Sequence, residues 1–211
     1  MNWNDARVTV GIAIVTAIVS ALILISGGLS AVAYGAGFVP VRFDGALLPG
    51  GLPLVVPALL TPLSATLVHG GTGHLVFNLI MLVYCGRLLE RTLGPAAIAI
   101  LYGVGAYAAA AAQWAFDPAS AAPMIGASGA ISAIVGAYAL LYGERRAKAI
   151  GPIPAGVVHV MWLAAGWIGL QLLIGAAGMA GMTVAIGAHI GGFVAGLALA
   201  RPLLLWRYRD A

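Results

Sequence analysis

The sequence predicts an all-α membrane protein that crosses the bilayer six times as a single domain. Of its 211 residues, 62% are hydrophobic and only 8% are charged, whereas a soluble domain carries about a quarter charged residues. Long apolar runs, separated by Pro, Gly and polar breaks, recur along the chain. Since one helical span needs roughly 20 apolar residues, the chain accommodates about six spans with short connections and no second large domain.

The apolar runs divide residues 1–211 into six helices and one long connection. The helices are expected at residues 8–33, 73–92, 95–116, 124–143, 154–178 and 183–206. Residues 36–68 are also apolar, but five prolines interrupt them. Because proline breaks a helix interior, this stretch is predicted to be a long interfacial loop.

The first apolar run admits a second interpretation. Arg7, the apolar stretch that follows it and the small residues Ala31-Val32-Ala33 resemble a secretory signal with a cleavage site. However, the run from Val8 to Gly27 is longer than the roughly 7 to 15 residues of a signal core, and it can span a bilayer. It is therefore expected to be the first helix.

The basic residues predict an orientation in the membrane. In an alternating six-helix arrangement, nine of the ten Lys and Arg residues fall on one side, and only Arg42 falls on the other. The positive-inside rule then places both termini in the cytoplasm, so that the second, fourth and sixth helices begin at the outer face. This distribution favours a lipid bilayer over nucleic acid as the partner of the +4 chain. The short tails suggest a bacterial inner membrane.

Polar residues inside the apolar segments cluster at the starts of the second, fourth and sixth helices. The second carries His69, His74 and Asn78, the fourth carries Ser128 between Gly126 and Gly129, and the sixth carries His189. Polar side chains in a bilayer are costly and are functional candidates by default. All are expected at one depth near the outer face. His74 and Asn78, at i and i+4, project from the same side of their helix.

These residue types suggest acyl-transfer chemistry. A serine hydroxyl is a weak nucleophile until a base removes its proton, and a neutral histidine is suited to that task. Ser128 is therefore the candidate nucleophile and His189 the candidate base. No carboxylate lies near His189 in the sequence, so a dyad is the simpler hypothesis. The Asn78 amide, the His74 imidazole and the Ser128 backbone N–H are the candidate oxyanion donors.

Each motif taken alone also has a structural explanation. Serine flanked by glycines is common where membrane helices pack, and His189 alone is compatible with a hydrogen bond to a carbonyl. His69 and His74 alone are compatible with anchoring a helix end. A metal site is not expected, because their five-residue spacing does not place both on one helical face. A nucleophile, a base and two donors at one depth favour a catalytic site.

In combination, the motifs resemble those of the rhomboid family of intramembrane serine proteases. The matching segments are His69-x4-His74-x3-Asn78 with Glu90-x2-Leu93-Gly94, then Gly126-x-Ser128-Gly129, and Ala188-His189-x-Gly191-Gly192-x3-Gly196. They cover about residues 60–200.

The resemblance implies a six-helix, rhomboid-like bundle and a serine endopeptidase. The implied site has a Ser128/His189 dyad and oxyanion donors His74 and Asn78, with His69, Gly126, Gly129 and Glu90 in supporting positions. It also implies that the substrates are transmembrane proteins, cleaved near the outer end of a helix that unwinds easily. No metal or organic cofactor is expected.

Two positions depart from the family pattern, and two other functions remain open. Many members carry Trp-Arg in the first long loop, but no tryptophan precedes Arg42, and Ser132 stands where an aromatic often follows the nucleophile. One alternative is a rhomboid-like protein that binds or escorts transmembrane clients without cutting them. The other is a small-solute transporter, although no pair of broken helices forms an inverted repeat.

Overall fold

The computed structural model of the chain describes residues 3–45, 50–143, 147–176 and 185–210. In these ranges the regular structure is helical, and β-pairing is limited to isolated bridges. In chain order the α-helices are α1 (Arg7–Ser26), α2 (Leu29–Ala36), α3 (Thr61–Ser64), α4 (Thr72–Leu93), α5 (Pro95–Phe116), α6 (Ser128–Tyr142), α7 (Ala155–Ala176) and α8 (Ile186–Arg207). The predicted all-α fold is confirmed.

Four of the described helices are candidate membrane spans. By length and composition, α1, α4, α5 and α8 can each cross a membrane. Helix α6 is apolar but has only 15 residues, or about 22 Å of helix against a hydrocarbon core of about 30 Å. Because α6 packs against α4, α5 and α8, its short length is accommodated in the middle of the bundle, where neighbouring helices surround it.

Two predicted helix boundaries are wrong. The helix expected at 8–33 ends at Ser26, since Gly27 adopts a left-handed conformation with φ of 71° before α2 begins. The helix expected at 124–143 begins at Ser128, because residues before it pair with other segments: Met124 forms a bridge with Phe38. The predicted boundaries at 178 and 183 lie outside the described residues.

The predicted loop at 36–68 contains short helical turns rather than a span. Besides α3, it forms 3₁₀ helices at Pro40–Asp44, Ala58–Leu60 and Ala65–Leu67. Arg42 Nη2 donates to the Val56 carbonyl at 3.0 Å, and Ser64 Oγ donates to the Ala36 carbonyl at 2.6 Å. These bonds tie distant parts of the loop to each other and to α2.

Small residues bring α6 and α8 into backbone contact. A Cβ atom at Gly192 would overlap the carbonyl oxygen of Gly129, and one at Gly196 would overlap that of Ala133. A side chain at either glycine would therefore force the helices apart. This close approach joins the starts of the two helices that carry Ser128 and His189.

The far end of α4 caps the start of α1. Helix α1 receives no side-chain cap from its own N-cap residue, Ala6. Instead, the Glu90 carboxylate accepts the N–H groups of Val8 at 2.9 Å and Thr9 at 2.8 Å, and the Thr9 hydroxyl at 2.6 Å. These are among the N–H groups that lack an intrahelical partner at a helix start. Glu90 therefore fastens α1 to α4.

Candidate active site

Ser128 and His189 meet at the starts of α6 and α8. Ser128 is the first residue of α6, and His189 lies in the first turn of α8. The distance between Ser128 Oγ and His189 Nε2 is 2.8 Å, within the reach of proton transfer from a hydroxyl to a base. The tight packing of α6 on α8 fixes both side chains on rigid elements.

His189 is supported by residues that the sequence analysis did not single out. Trp167 of α7 donates its indole N–H to the His189 carbonyl at 3.2 Å, and its ring stacks on Phe193 with centroids 4.8 Å apart. Gln113 of α5 accepts the Ala188 N–H at 3.3 Å. The first turn of α8 is thus held from two sides. Neither residue belongs to a recognisable motif. A tryptophan or glutamine in an apolar span has many possible partners, so the sequence does not indicate which group it contacts.

Ser132, which occupies the position where the family often has an aromatic, bonds to its own helix. Its hydroxyl donates to the Ser128 carbonyl at 2.8 Å. The side chain therefore turns back along α6. Support for the His189 backbone comes from α7 through Trp167.

Gly126 allows His74 to lie against the loop before Ser128. Its φ of 109° favours glycine, and a Cβ there would lie 2.6 Å from His74 Cε1 and 2.7 Å from His74 Nε2. The Gly126 N–H donates to the Ala65 carbonyl at 2.9 Å. His74 Nδ1 is buried and has no hydrogen-bond partner among the described residues. The imidazole therefore lies against Gly126, two residues before Ser128, and its Nδ1 is still able to form a hydrogen bond.

His69 holds the same loop through a chain of hydrogen bonds. The Ser20 hydroxyl donates to the Leu67 carbonyl at 2.8 Å, so Ser20 Oγ accepts from His69 Nδ1 at 2.9 Å. His69 Nε2 then accepts the Ala127 N–H at 3.3 Å. Each bond has one donor and one acceptor only if the imidazole is neutral.

The surroundings of His69 keep it neutral. It is fully buried, and its ring centroid lies 4.9 Å from that of His74. Burial, and secondarily the charge of His74, lowers the pKa of the His69 imidazole from its ordinary 6.5 to about 4. At neutral pH His69 is thus an uncharged link between Ser20 and the loop before Ser128.

Asn78 lies one turn beyond His74 on the same side of α4, and it is buried. Its Nδ2 donates to the His74 carbonyl at 2.8 Å, while Oδ1 is buried without a partner among the described residues. Since an amide nitrogen carries two N–H donors, one remains for a second acceptor.

The remaining predicted residues lie outside the contact between Ser128 and His189. Gly129 serves packing, since a Cβ there would lie 2.6 Å from Ala109 Cβ on α5. Glu90 is 16 residues beyond His74 on α4, or about 24 Å away along the helix, where it caps α1. His159 is buried in α7, and its Nε2 lies near Gly143, at the end of α6 opposite Ser128. Within the described ranges, no three His, Cys, Asp or Glu side chains are grouped to hold a metal ion.

The fold and this geometry define a polytopic helical membrane protein with a serine–histidine pair at the starts of two packed helices. The family model described as the Rhomboid domain matches residues 58–206, which is more than half of the chain. The chain belongs to the rhomboid family.

Two curated relatives support this assignment. The chain is 34% identical over 139 residues to "Rhomboid protease GlpG" of Serratia proteamaculans (strain 568), which is 65% of this chain and 45% of the relative. It is 32% identical over 137 residues to the protein of the same name from Enterobacter sp. (strain 638), which is 64% of this chain and 45% of the relative. The matched region thus spans less than half the length of these relatives.

Proposed function

We propose that this protein is an intramembrane serine endopeptidase that cleaves transmembrane protein substrates through a Ser128/His189 dyad. The observation that carries the proposal is the 2.8 Å contact between Ser128 Oγ and His189 Nε2, at the helix starts that carry the family motifs. The names of the two relatives point to the same activity.

In the proposed reaction, His189 Nε2 takes the proton of Ser128 Oγ as the oxygen attacks the scissile carbonyl carbon. The carbonyl π electrons move onto oxygen and form a tetrahedral oxyanion. Its collapse breaks the C–N bond, and His189 returns the proton to the departing amine. Water then attacks the acyl ester, with His189 again as base, and releases the acid and free Ser128.

The oxyanion is stabilised by groups on two helices. The Ser128 N–H lies at the start of α6, where backbone N–H groups lack intrahelical acceptors and the helix dipole is positive. His74 and Asn78 approach from α4 and offer side-chain N–H groups. Where such a donor has been removed, the loss is about 10²- to 10³-fold in rate.

The proposed membrane orientation places both termini in the cytoplasm and the dyad near the outer face. Arg7, Arg91 and Arg207 line one cavity near the start of α1 and the end of α8, the end of the bundle opposite Ser128. The positive-inside rule assigns such an end to the cytoplasm. Both relatives come from bacteria, and we place this protein in a bacterial inner membrane. Cleavage is then expected near the outer end of the substrate helix.

Cleavage of a model transmembrane substrate in proteoliposomes tests the proposal. The wild type should cut the substrate near its outer end, at a position read by mass spectrometry, and faster when helix-breaking residues are placed there. Ser128→Ala should abolish cleavage, whereas Ser132→Ala, one turn along α6, should retain most of it. Substrate binding without cleavage by the folded wild type would contradict the proposal and favour a non-proteolytic escort.

A further inference from the structure

A charged cavity lies at the end of the bundle opposite the dyad. Its volume is about 330 Å³, at the lower end of the range of small-ligand sites. The start of α1, the end of α4, the start of α5 and the end of α8 surround it. Its lining residues are Asp5, Arg7, Glu90, Arg91, Gly94, Pro95 and Arg207.

The two carboxylates of this cavity are already engaged. Glu90 accepts three hydrogen bonds from Val8 and Thr9, so its oxygens face the start of α1. The lining holds three arginines against two carboxylates, so basic groups are in excess. Asp5 faces Arg91, with 3.6 Å between Asp5 Oδ2 and Arg91 Nη2. Both of these side chains are nearly half exposed, so the ion pair is weak and exchangeable.

The remaining two arginines are not neutralised by the described residues. Neither Arg7 nor Arg207 forms an ion pair there, although both line the cavity. The Arg207 side chain lies over Gly94, since a Cβ at Gly94 would be 3.5 Å from Arg207 Cδ, Nε and Cζ. The guanidinium of Arg207 is thus within van der Waals reach of the start of α5. Two such groups around one cavity suit an oxyanion that accepts several N–H donors, as phosphate does.

The position of the cavity indicates which phosphate is available. The cavity lies where candidate membrane spans begin or end, so in a bilayer we expect it at the depth of the lipid headgroups. A basic pocket between transmembrane helices on the cytoplasmic side is suited to anionic lipid headgroups. A zwitterionic headgroup also offers a phosphate, but its ammonium would be repelled by the arginines.

We propose that this cavity binds the phosphate of an anionic phospholipid headgroup through Arg7 and Arg207, with Arg91 as an additional donor. The site is separate from the dyad and fastens the starts of α1 and α5 to the end of α8 in the bilayer. It does not depend on the proposed protease activity.

Thermal unfolding of the purified full chain in a neutral detergent tests this site. The midpoint temperature is measured against increasing dioctanoyl phosphatidylglycerol, dioctanoyl phosphatidylcholine or inorganic phosphate, and the shift gives an apparent Kd. We expect phosphatidylglycerol to stabilise the wild type more than phosphatidylcholine does, and the effect to weaken as salt is added. Ser128→Ala should bind phosphatidylglycerol as the wild type does.

Substitutions define the site further. Arg7→Gln and Arg207→Gln should each weaken phosphatidylglycerol binding about fivefold, and the double variant about 25-fold. Arg209→Gln is the matched control, since it removes the same charge from the same end but Arg209 pairs with Asp210; its Kd should change less than about twofold. Asp5→Asn should tighten binding, because it frees Arg91. If the double Gln variant unfolds without ligand, Arg7→Lys with Arg207→Lys should fold and retain most of the binding.

The probes separate the sources of the phosphate. Saturable stabilisation by inorganic phosphate that competes with phosphatidylglycerol and is lost in the double variant supports the site with free phosphate as ligand. Stabilisation by phosphatidylglycerol alone supports it with lipid as ligand. Equal effects of phosphatidylglycerol and phosphatidylcholine on the wild type, or an unchanged Kd in the folded double variant, would overturn the proposal.

Discussion

The two ends of the bundle use polar residues in opposite ways. Around Ser128 the polar groups are hydroxyls, imidazoles and an amide, and two of their buried atoms, His74 Nδ1 and Asn78 Oδ1, lack partners among the described residues. At the other end, the Glu90 carboxylate is buried and accepts three hydrogen bonds. Around Ser128, hydrogen-bonding atoms remain available for a reacting group. Around Glu90, the hydrogen bonds of the carboxylate join two helices.

This difference separates reactivity from anchoring. A buried charge is tolerated when its hydrogen bonds are complete, and removing a partner is then strongly destabilising. A buried neutral group with an unused hydrogen-bonding atom lowers the free energy of unfolding less than an unpaired charge does. It also remains able to form a hydrogen bond to a transition state. Substitutions near Ser128 should therefore lower activity more than stability, and substitutions near Glu90 should do the reverse.

The largest expected effect away from the dyad itself is that of Gly126→Ala. The added Cβ would meet the His74 ring at 2.6 Å, at a φ of 109° that side chains rarely adopt. Displacing His74 by about 1 Å should lower cleavage about a hundredfold. Gly70→Ala is the matched control, because its Cβ would meet His74 Nδ1 only at 4.0 Å. Initial rates of substrate cleavage measure both, and equal rates would show that His74 need not approach this loop.

Glu90→Gln should mainly affect stability. The amide keeps one acceptor oxygen but loses the charge and the second acceptor, which should lower the free energy of unfolding by about 2 kcal/mol. Activity per folded molecule should change little, because Glu90 is far from Ser128. Unfolding in a mild detergent and active-site titration measure the two quantities. Thr9→Val, which removes only the hydroxyl bond, should be milder, and the opposite ranking would contradict the capping role.

His69 should make stability depend on pH. Its folded pKa of about 4 lies below the ordinary 6.5, so between these values the unfolded chain binds more protons. The free energy of unfolding is therefore highest above about pH 6.5 and falls as the pH is lowered toward 4. At pH 5.5 the expected loss is about 1.4 kcal/mol. His69→Gln cannot take up this proton. If unfolding midpoints of the variant keep the wild-type pH slope, another group is responsible.

Trp167→Phe should have the smallest effect of the series. The ring can still stack on Phe193, but the N–H bond to the His189 carbonyl is lost, which should lower the cleavage rate about two- to fivefold. Trp162→Phe is the control, because Trp162 also lies on α7 and is 68% exposed. A rate for Trp167→Phe equal to that of the control would remove Trp167 from the support of His189.

The sequence predicts the fold, and it singles out the residues of the candidate site, for one physical reason. In an apolar chain, each polar residue is exceptional, so Ser128, His189 and His74 stand out at helix starts. Their shared depth follows from counting spans. The sequence does not indicate which distant groups form hydrogen bonds. Glu90 bonds to Thr9, which is 81 positions away, and Trp167 bonds to His189, which is 22 positions away.

The hydropathy pattern also does not predict where two of the helices begin or end. Gly27 ends α1 by adopting a left-handed conformation, although apolar residues resume at Leu29. Likewise, Met124 and Gly126 are apolar enough for a helix, but their bonds to Phe38 and Ala65 hold them in a loop. Both breaks depend on backbone conformation and tertiary bonds, which average hydrophobicity does not encode.

The most direct test of the Ser128/His189 dyad is labelling of the folded protein in detergent by a fluorophosphonate probe, which reacts with activated serines. We expect labelling of the wild type and of Ser132→Ala, none of Ser128→Ala, and at least a hundredfold slower labelling of His189→Ala, since loss of a general base costs about 10²- to 10⁴-fold. Labelling of Ser128→Ala at the wild-type rate, or of His189→Ala as fast as the wild type, would contradict the dyad.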